Sequence, residues 1–160
     1  MNLREQEVER RLDRFKSVAK RAGVKLTHQR LEIFRAVASS VEHPSAEAVY
    51  TAVRAAMPTV SLDTVYRTLW LLTDLGLLTT LGQRQDSVRF DANLEHHHHY
   101  LCVRCGLVRD FESSELNAMR IPDAVNRFGE VVSAHVEVRG LCAKCAMELA
   151  EAKTTETPDT

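Results

Sequence analysis

Residues 89–110 read RFDANLEHHHHYLCVRCGLVRD, and this stretch decides how the chain divides. It holds Asp91, four histidines (His96, His97, His98 and His99), Cys102, Cys105 and Asp110. The thiols stand in one block, the imidazoles and carboxylates in another. Thiolates suit zinc, whereas mixed nitrogen and oxygen donors suit Fe2+, Mn2+ or Zn2+. The stretch therefore predicts two metal sites of different chemistry. Upstream of it the pattern is helical, and downstream it turns to short strands.

The thiol site draws in a second pair. Cys102-x-x-Cys105 and Cys142-x-x-Cys145 are two knuckles separated by 36 residues. Each knuckle puts two sulfurs within reach of one ion, and two knuckles complete a tetrahedron, so the pattern predicts a closed, structural Zn2+ site. A redox CxxC or four unrelated core cysteines are the competing readings. The four cysteines all lie in the second half of the chain.

The histidines follow strand geometry. His97 and His99 are two apart and share one face, and His96 and His98 share the other. Asp91 lies just upstream, Asp110 falls on the partner strand of a hairpin, and His43 stands alone at a helix start in EHPSAEAVY. The set His43, Asp91, His97, His99 and Asp110 suits Fe2+, Mn2+ or Zn2+. If His43 joins, the metal bridges two domains and its binding can fix their orientation. A surface histidine tract that picks up metal adventitiously is the bland alternative.

Upstream, residues 4–22 predict an amphipathic helix through Val8, Leu12, Phe15, Ala19 and Ala22, ended by Gly23. Thr27 can cap a second helix, with Leu31, Phe34 and Val37–Ala38 inward, and Ser45 a third over 46–56. Ser61 or Asp63 starts a fourth, SLDTVYRTLWLLTDLG, with Leu62, Val65, Leu69 and Leu72 as its apolar stripe. Thr64, Tyr66 and Arg67 then face elsewhere. Leu77–Leu81 and Val88–Phe90 read as strands joined by GQRQDS. Three helices followed by a short hairpin make a winged helix-turn-helix pattern, whose last helix would enter the major groove. A plain helical domain with a hairpin fits the same pattern.

Downstream, Tyr100–Val103 and Leu107–Phe111 predict strands around a turn at Arg104–Cys105–Gly106. Ser113–Phe128 reads as helix interrupted by Pro122. The alternation Val132, Ala134, Val136, Val138 predicts a half-buried strand. A short helix is expected over 142–152, and the polar tail 153–160 is expected to be disordered.

Composition bounds the class. With 160 residues, 44% hydrophobic and 27% charged, the chain is globular. No apolar run approaches the ~18 residues of a membrane span. MNLREQEVERRLDRF lacks a signal-peptide core, so a cytoplasmic protein with reduced thiols and no membrane partner is expected. Residues 1–91 carry 14 basic and 11 acidic residues, net +3, and residues 92–160 carry 7 and 11, net −4. Arg10–Arg35 alone holds nine basic residues against Asp13 and Glu32. That asymmetry fits a nucleic-acid-binding part joined to another domain, or a solvated helix face.

The pieces THQRLEIFRAV, HPSAEAVY, VSLDTVYRTLWLLTDLGLL, RFD, HHHHYLCVRCGLVRDF and GLCAKC resemble the ferric-uptake-regulator superfamily of bacterial metal-dependent repressors, over about residues 10–150. The resemblance implies an α+β protein: an N-terminal winged helix-turn-helix domain (1–87), a hinge near 82–92, and a C-terminal α/β dimerisation domain (88–152). It implies structural zinc at Cys102, Cys105, Cys142 and Cys145. A regulatory Fe2+ or Mn2+ would sit at His43, Asp91, His97, His99 and Asp110. Tyr66 would lie on the DNA-facing helix; Arg67 beside it follows from the helix face, and Thr64 is placed with them. Aspartate at both Asp91 and Asp110 is similar to the peroxide-sensing members. Asn117 and Ala134 depart from the iron-uptake members' third metal site, which is not expected here.

The implied function is a homodimeric, peroxide-sensing repressor on a double-stranded DNA operator, released when iron-catalysed oxidation strikes His97 or His43. An iron- or zinc-uptake repressor of the same fold is the nearest alternative. A metallo-hydrolase is more remote, because no HExxH or comparable metal-hydrolase motif is present. A zinc-binding module without DNA contact is the third. No enzyme activity is expected.

Overall fold

The computed structural model describes residues 3–82 and 88–155. Helices begin where the sequence supplies caps. Thr27, Ser45 and Ser61 accept from the backbone N–H of Arg30, Ala48 and Thr64, and so open α2 (His28–Ala38), α3 (Ala46–Ala56) and α4 (Leu62–Asp74). Each cap satisfies a donor that the first helical turn leaves without a partner. Before them, α1 (Leu3–Arg21) buries Val8, Leu12, Phe15 and Ala19, one face of a 3.6-residue period. Ala22 lies beyond its end and is exposed.

These four helices share one core. Phe15 of α1 meets Phe34 of α2 at 5.1 Å between ring centroids. Val65, Leu69 and Leu72 of α4 have no measurable exposure, and Leu62 at its start is only half-buried. Gly76 (φ 67°) turns the chain out of α4, a backbone state that favours glycine. Leu77 and Leu78 are then buried ahead of β1 (Thr79–Leu81), which pairs antiparallel with β2 (Arg89–Asp91). Three helices followed by this hairpin match the winged-helix expectation; residues 83–87 of the connecting loop lie outside the described residues. Leu69→Ala is expected to cost this unit about 2–5 kcal/mol, because it deletes a fully buried side chain among rigid neighbours. Urea unfolding of the variant checks it.

The two compact units are Met1–Leu94 and Glu95–Thr160. The division falls beyond the expected boundary at 87/88, because β2 pairs with β1 and stays in the first unit. In the second unit, β3 (His98–Cys102) lies between β4 (Val108–Phe111) and β5 (Glu137–Gly140), antiparallel to β4 and parallel to β5. β3 starts two residues earlier than expected and carries His98 and His99. Pro122 splits the helix expected over Ser113–Phe128 into α5 (Ser114–Asn117) and a 3-10 turn at Asp123–Arg127.

Two expectations need correction. The strand expected over Val132–Val138 begins only at Glu137, and Val132 is 95% exposed. β3 starts at His98, and the ladder ends with the Val136 carbonyl accepting from the His99 N–H at 3.1 Å, so among the described residues no strand lies beside 132–135. A period-2 pattern needs a neighbour to become a strand. The tail expected from residue 153 is also wrong at its start, since α6 (Ala143–Thr155) continues through 155. Residues 156–160 of that expected tail lie outside the described residues. Among the described residues, no helix is long and apolar enough to cross a membrane.

Candidate metal centres

The four cysteines converge. Cys102 ends β3, Cys105 sits in the following turn closed by Gly106 (φ 72°), Cys142 follows β5, and Cys145 is in the first turn of α6. All four are free thiols, and their sulfurs lie within 4.8 Å of one another. Cys105 and Cys142 stand 3.7 Å apart, Sγ to Sγ. A tetrahedron of Zn–S bonds near 2.3 Å has edges of about 3.8 Å, so the spacing fits zinc.

Local polarity agrees. The backbone N–H groups of Cys105 and then Cys142 hold the Cys102 thiol down to about 6, and the Cys142 N–H donates to its sulfur at 3.3 Å. Burial pushes the Cys145 thiol up to about 12, reinforced by its sulfur neighbours. Four thiolates this close need a cation to coexist, and a divalent ion supplies it.

The nitrogen and oxygen donors fall into two sets, one in each unit. In the first unit, His43 Nε2 stands 3.3 Å from Asp91 Oδ2, and both residues are buried. Asp91 Oδ1 accepts from the Asn93 N–H at 2.7 Å, which turns the other oxygen toward His43. His43 has φ 49°, the one non-glycine residue with positive φ among those described. Such a backbone costs about 1–3 kcal/mol and persists only where surroundings impose it. Here β2 imposes it. The His43 carbonyl accepts from Arg89 at 3.4 Å, and the Pro44 carbonyl from the Phe90 N–H at 3.1 Å.

In the second unit, the β3–β4 register sets His99 opposite Asp110. His97 and His99 bring their Nε2 atoms to 2.9 Å, each 3.6 Å from Asp110 Oδ1. His97 Nδ1 donates to the Glu95 carbonyl at 2.6 Å, so its Nε2 presents a lone pair to His99. Two imidazole nitrogens and a carboxylate oxygen at this spacing suit a shared cation. Among the residues described for these two sets, neither supplies six protein donors; His97, His99 and Asp110 would leave positions on Fe2+ or Mn2+ for water or further ligands.

His98 faces the other way. The Val136 N–H donates to its Nδ1 at 3.1 Å, so its Nε2–H donates to Asn117 Oδ1 at 2.9 Å. It is a core histidine with both nitrogens engaged. Asn117, where iron-uptake relatives were expected to offer a carboxylate, is its amide partner.

On α4, Thr64 bonds the Ser61 hydroxyl at 2.8 Å, Arg67 is exposed and pairs with Asp63 at 3.0 Å, and Tyr66 is 37% exposed. Arg30 and Arg67 line an open cleft of about 280 Å³ beside α2 and α4. Sequence reasoning missed two contacts. Trp70 packs edge-on against Phe90 of β2, ring centroids 5.7 Å apart. Tyr66 donates to the Glu47 carboxylate on α3. Both tie α4 to elements next to the His43–Asp91 pair, but neither partner is a sequence neighbour of α4.

A winged-helix unit followed by a four-cysteine, imidazole-rich unit is the layout of a metal-responsive winged-helix regulator. The ferric uptake regulator family model matches residues 21–139, and the chain belongs to that family. It is 32% identical over 146 residues to the peroxide-responsive repressor PerR of Staphylococcus aureus, a span of 91% of this chain and 98% of that protein. It is similar in structure to the Helicobacter pylori ferric uptake regulator Fur, which has three functional metal binding sites (TM-score 0.72, 26% identity, 87% of this chain and 93% of that one). The Francisella tularensis ferric uptake regulator with iron is also similar (TM-score 0.65, 27% identity, 78% and 96%).

Proposed function

We propose that this protein is a homodimeric, peroxide-sensing transcriptional repressor that binds double-stranded DNA when its regulatory metal is in place. The observation that carries the reading is the pair of incomplete donor sets: His43 and Asp91 in the winged-helix unit, and His97, His99 and Asp110 in the other. One Fe2+ or Mn2+ ion held by both sets would fix the DNA-binding shape, and loss of a ligand would release it. Zinc at Cys102, Cys105, Cys142 and Cys145 holds the dimerisation unit together. Phe128 and Val132, 89% and 95% exposed, are apolar side chains that a second copy can cover. A DNA target and thiols kept for zinc favour a cytoplasmic location, and the proposed mechanism calls for no enzymatic step. DNA reading then belongs to the unit that ends at Leu94, and dimerisation to the unit that begins at Glu95.

Aspartate at both carboxylate positions and the likeness to the staphylococcal peroxide-responsive repressor favour peroxide sensing. The likeness to two ferric uptake regulators favours a second reading, a repressor governed by iron supply alone. A gel-shift assay with Fe2+ and with Mn2+, each with and without hydrogen peroxide, separates them: release only from the Fe2+ form with peroxide supports the first. Release that follows free Fe2+ and ignores peroxide establishes the second. On the same DNA, Arg67→Ala is expected to lose about tenfold to a hundredfold in affinity with metal content unchanged, the worth of one base-edge contact. Unaltered affinity would remove α4 from the reading role.

A further inference from the structure

Tyr66 stands on the exposed side of α4, and its hydroxyl donates to the carboxylate of Glu47 in the first turn of α3. That bond, with Glu47's own backbone N–H and the Ser45 hydroxyl, holds the Glu47 carboxyl below its usual range. The same bond raises the Tyr66 phenol above its usual value. At neutral pH the carboxylate is charged and the phenol keeps its proton.

A carboxylate beside a helix meant for DNA opposes binding to phosphates. Its presence therefore calls for a compensating role, and the chemistry of the phenol supplies one. A tyrosine hydroxyl has one proton to donate and lone pairs to accept. With that proton committed to Glu47, its oxygen can only accept. In the major groove, adenine N6 and cytosine N4 donate, whereas guanine O6 and N7 and thymine O4 accept.

We propose that Glu47 is a specificity-determining positioning residue: by taking the Tyr66 proton it fixes the phenol in place and makes it an acceptor, so that Tyr66 selects a base with an exocyclic amino group. This rests on α4 being the reading helix. Glu47 touches no base itself; it acts through Tyr66. The first turn of α3, which carries Glu47, follows His43–Pro44–Ser45, so the pair also lies next to the buried His43–Asp91 contact.

The test uses the full-length Mn2+-loaded protein and a short duplex that it selects from a random-sequence library. Base pairs of that duplex are then changed singly, and affinities are measured for wild type, Tyr66→Phe, Glu47→Ala and Glu47→Gln. The expected result is one position where wild type prefers an amino-bearing base by roughly tenfold. Tyr66→Phe and Glu47→Ala both lose that preference there. Glu47→Gln keeps an acceptor oxygen and retains most of it. Mn2+ content and thermal unfolding should match wild type in all three variants, since both side chains are exposed. If Glu47→Ala instead binds every duplex more tightly and keeps the wild-type base pattern, the residue is only a repelling charge and the proposal is overturned. If wild type selects a duplex but Tyr66→Phe keeps its full pattern, this inference falls while DNA reading stands. If wild type selects none with any metal, the DNA-binding function falls and takes the inference with it.

Discussion

Cys102→Ser is expected to abolish zinc binding and to unfold the Glu95–Thr160 unit while the Met1–Leu94 unit stays folded. The reason lies in how little else holds the second unit together. Among the described residues, its buried apolar side chains are Cys102, Val108 and Cys145, whereas the first unit buries a run of large ones from Val8 to Phe90. Two of those three belong to the proposed zinc set, so bound zinc would replace a core that is otherwise absent. Structural zinc sites contribute on the order of 10–16 kcal/mol at neutral pH, comparable to the whole stability of an ordinary domain. Three thiolates and a serine cannot close the tetrahedron.

The measurement is zinc content together with hydrogen exchange resolved by peptide. Amides of β3, β4 and β5 should lose their protection, and the dimer should dissociate. Amides of α2 and α4 should keep theirs. A strong chelator acting on the wild type should reproduce the pattern, which guards against a serine-specific artefact. A zinc-free protein whose β3–β4 amides stay protected in a stable dimer would end the claim that zinc is structural.

How far this could be read from sequence depends on whether the cause is local. The caps Thr27, Ser45 and Ser61 were legible because a cap acts within three residues. The cysteine cluster was legible because a knuckle encodes its own geometry. That Asp110 falls on the partner strand of a hairpin was legible, again a local device, but its register opposite His99 was not. His43 entered the candidate donor set from its residue type, with no local pattern to support it beyond the family resemblance. Its position depends on Arg89 and Phe90, far along the chain, and on a positive φ that no residue type announces. Trp70 lies outside the apolar stripe of α4 because its partner, Phe90, is on the wing strand rather than in the helix core. The strand expected over 132–138 failed for the opposite reason. Its alternation is genuine, but among the described residues no neighbouring strand meets its first half.

Hydrogen peroxide is expected to add a single oxygen to the peptide carrying His97, or to that carrying His43, in the Fe2+ form only, and to release that form from DNA. Fe2+ held at this site would supply one-electron reduction of peroxide, chemistry that Mn2+ would supply poorly, as the family resemblance implies. Everything else follows from where these side chains stand. His97 is held by its Nδ1–H on the Glu95 carbonyl, so its Nε2 cannot rotate away from the donor set. His43 is held by the strand contacts that impose its strained backbone. If both rings hold the ion as proposed, oxidation of either would remove a nitrogen donor and weaken the hold of the remaining groups. The cysteines are shielded, because each thiolate belongs to a closed four-sulfur set. Loss of the DNA-binding shape lowers affinity toward the non-specific level, roughly a thousandfold or more. Peptide mass spectrometry beside a gel shift reads both halves of the prediction, and the Mn2+ form should keep its mass and its DNA. Equal release of the two metal forms, or oxidation confined to Cys102, Cys105, Cys142 or Cys145, would replace the histidine mechanism with a thiol-based one or with plain metal sensing.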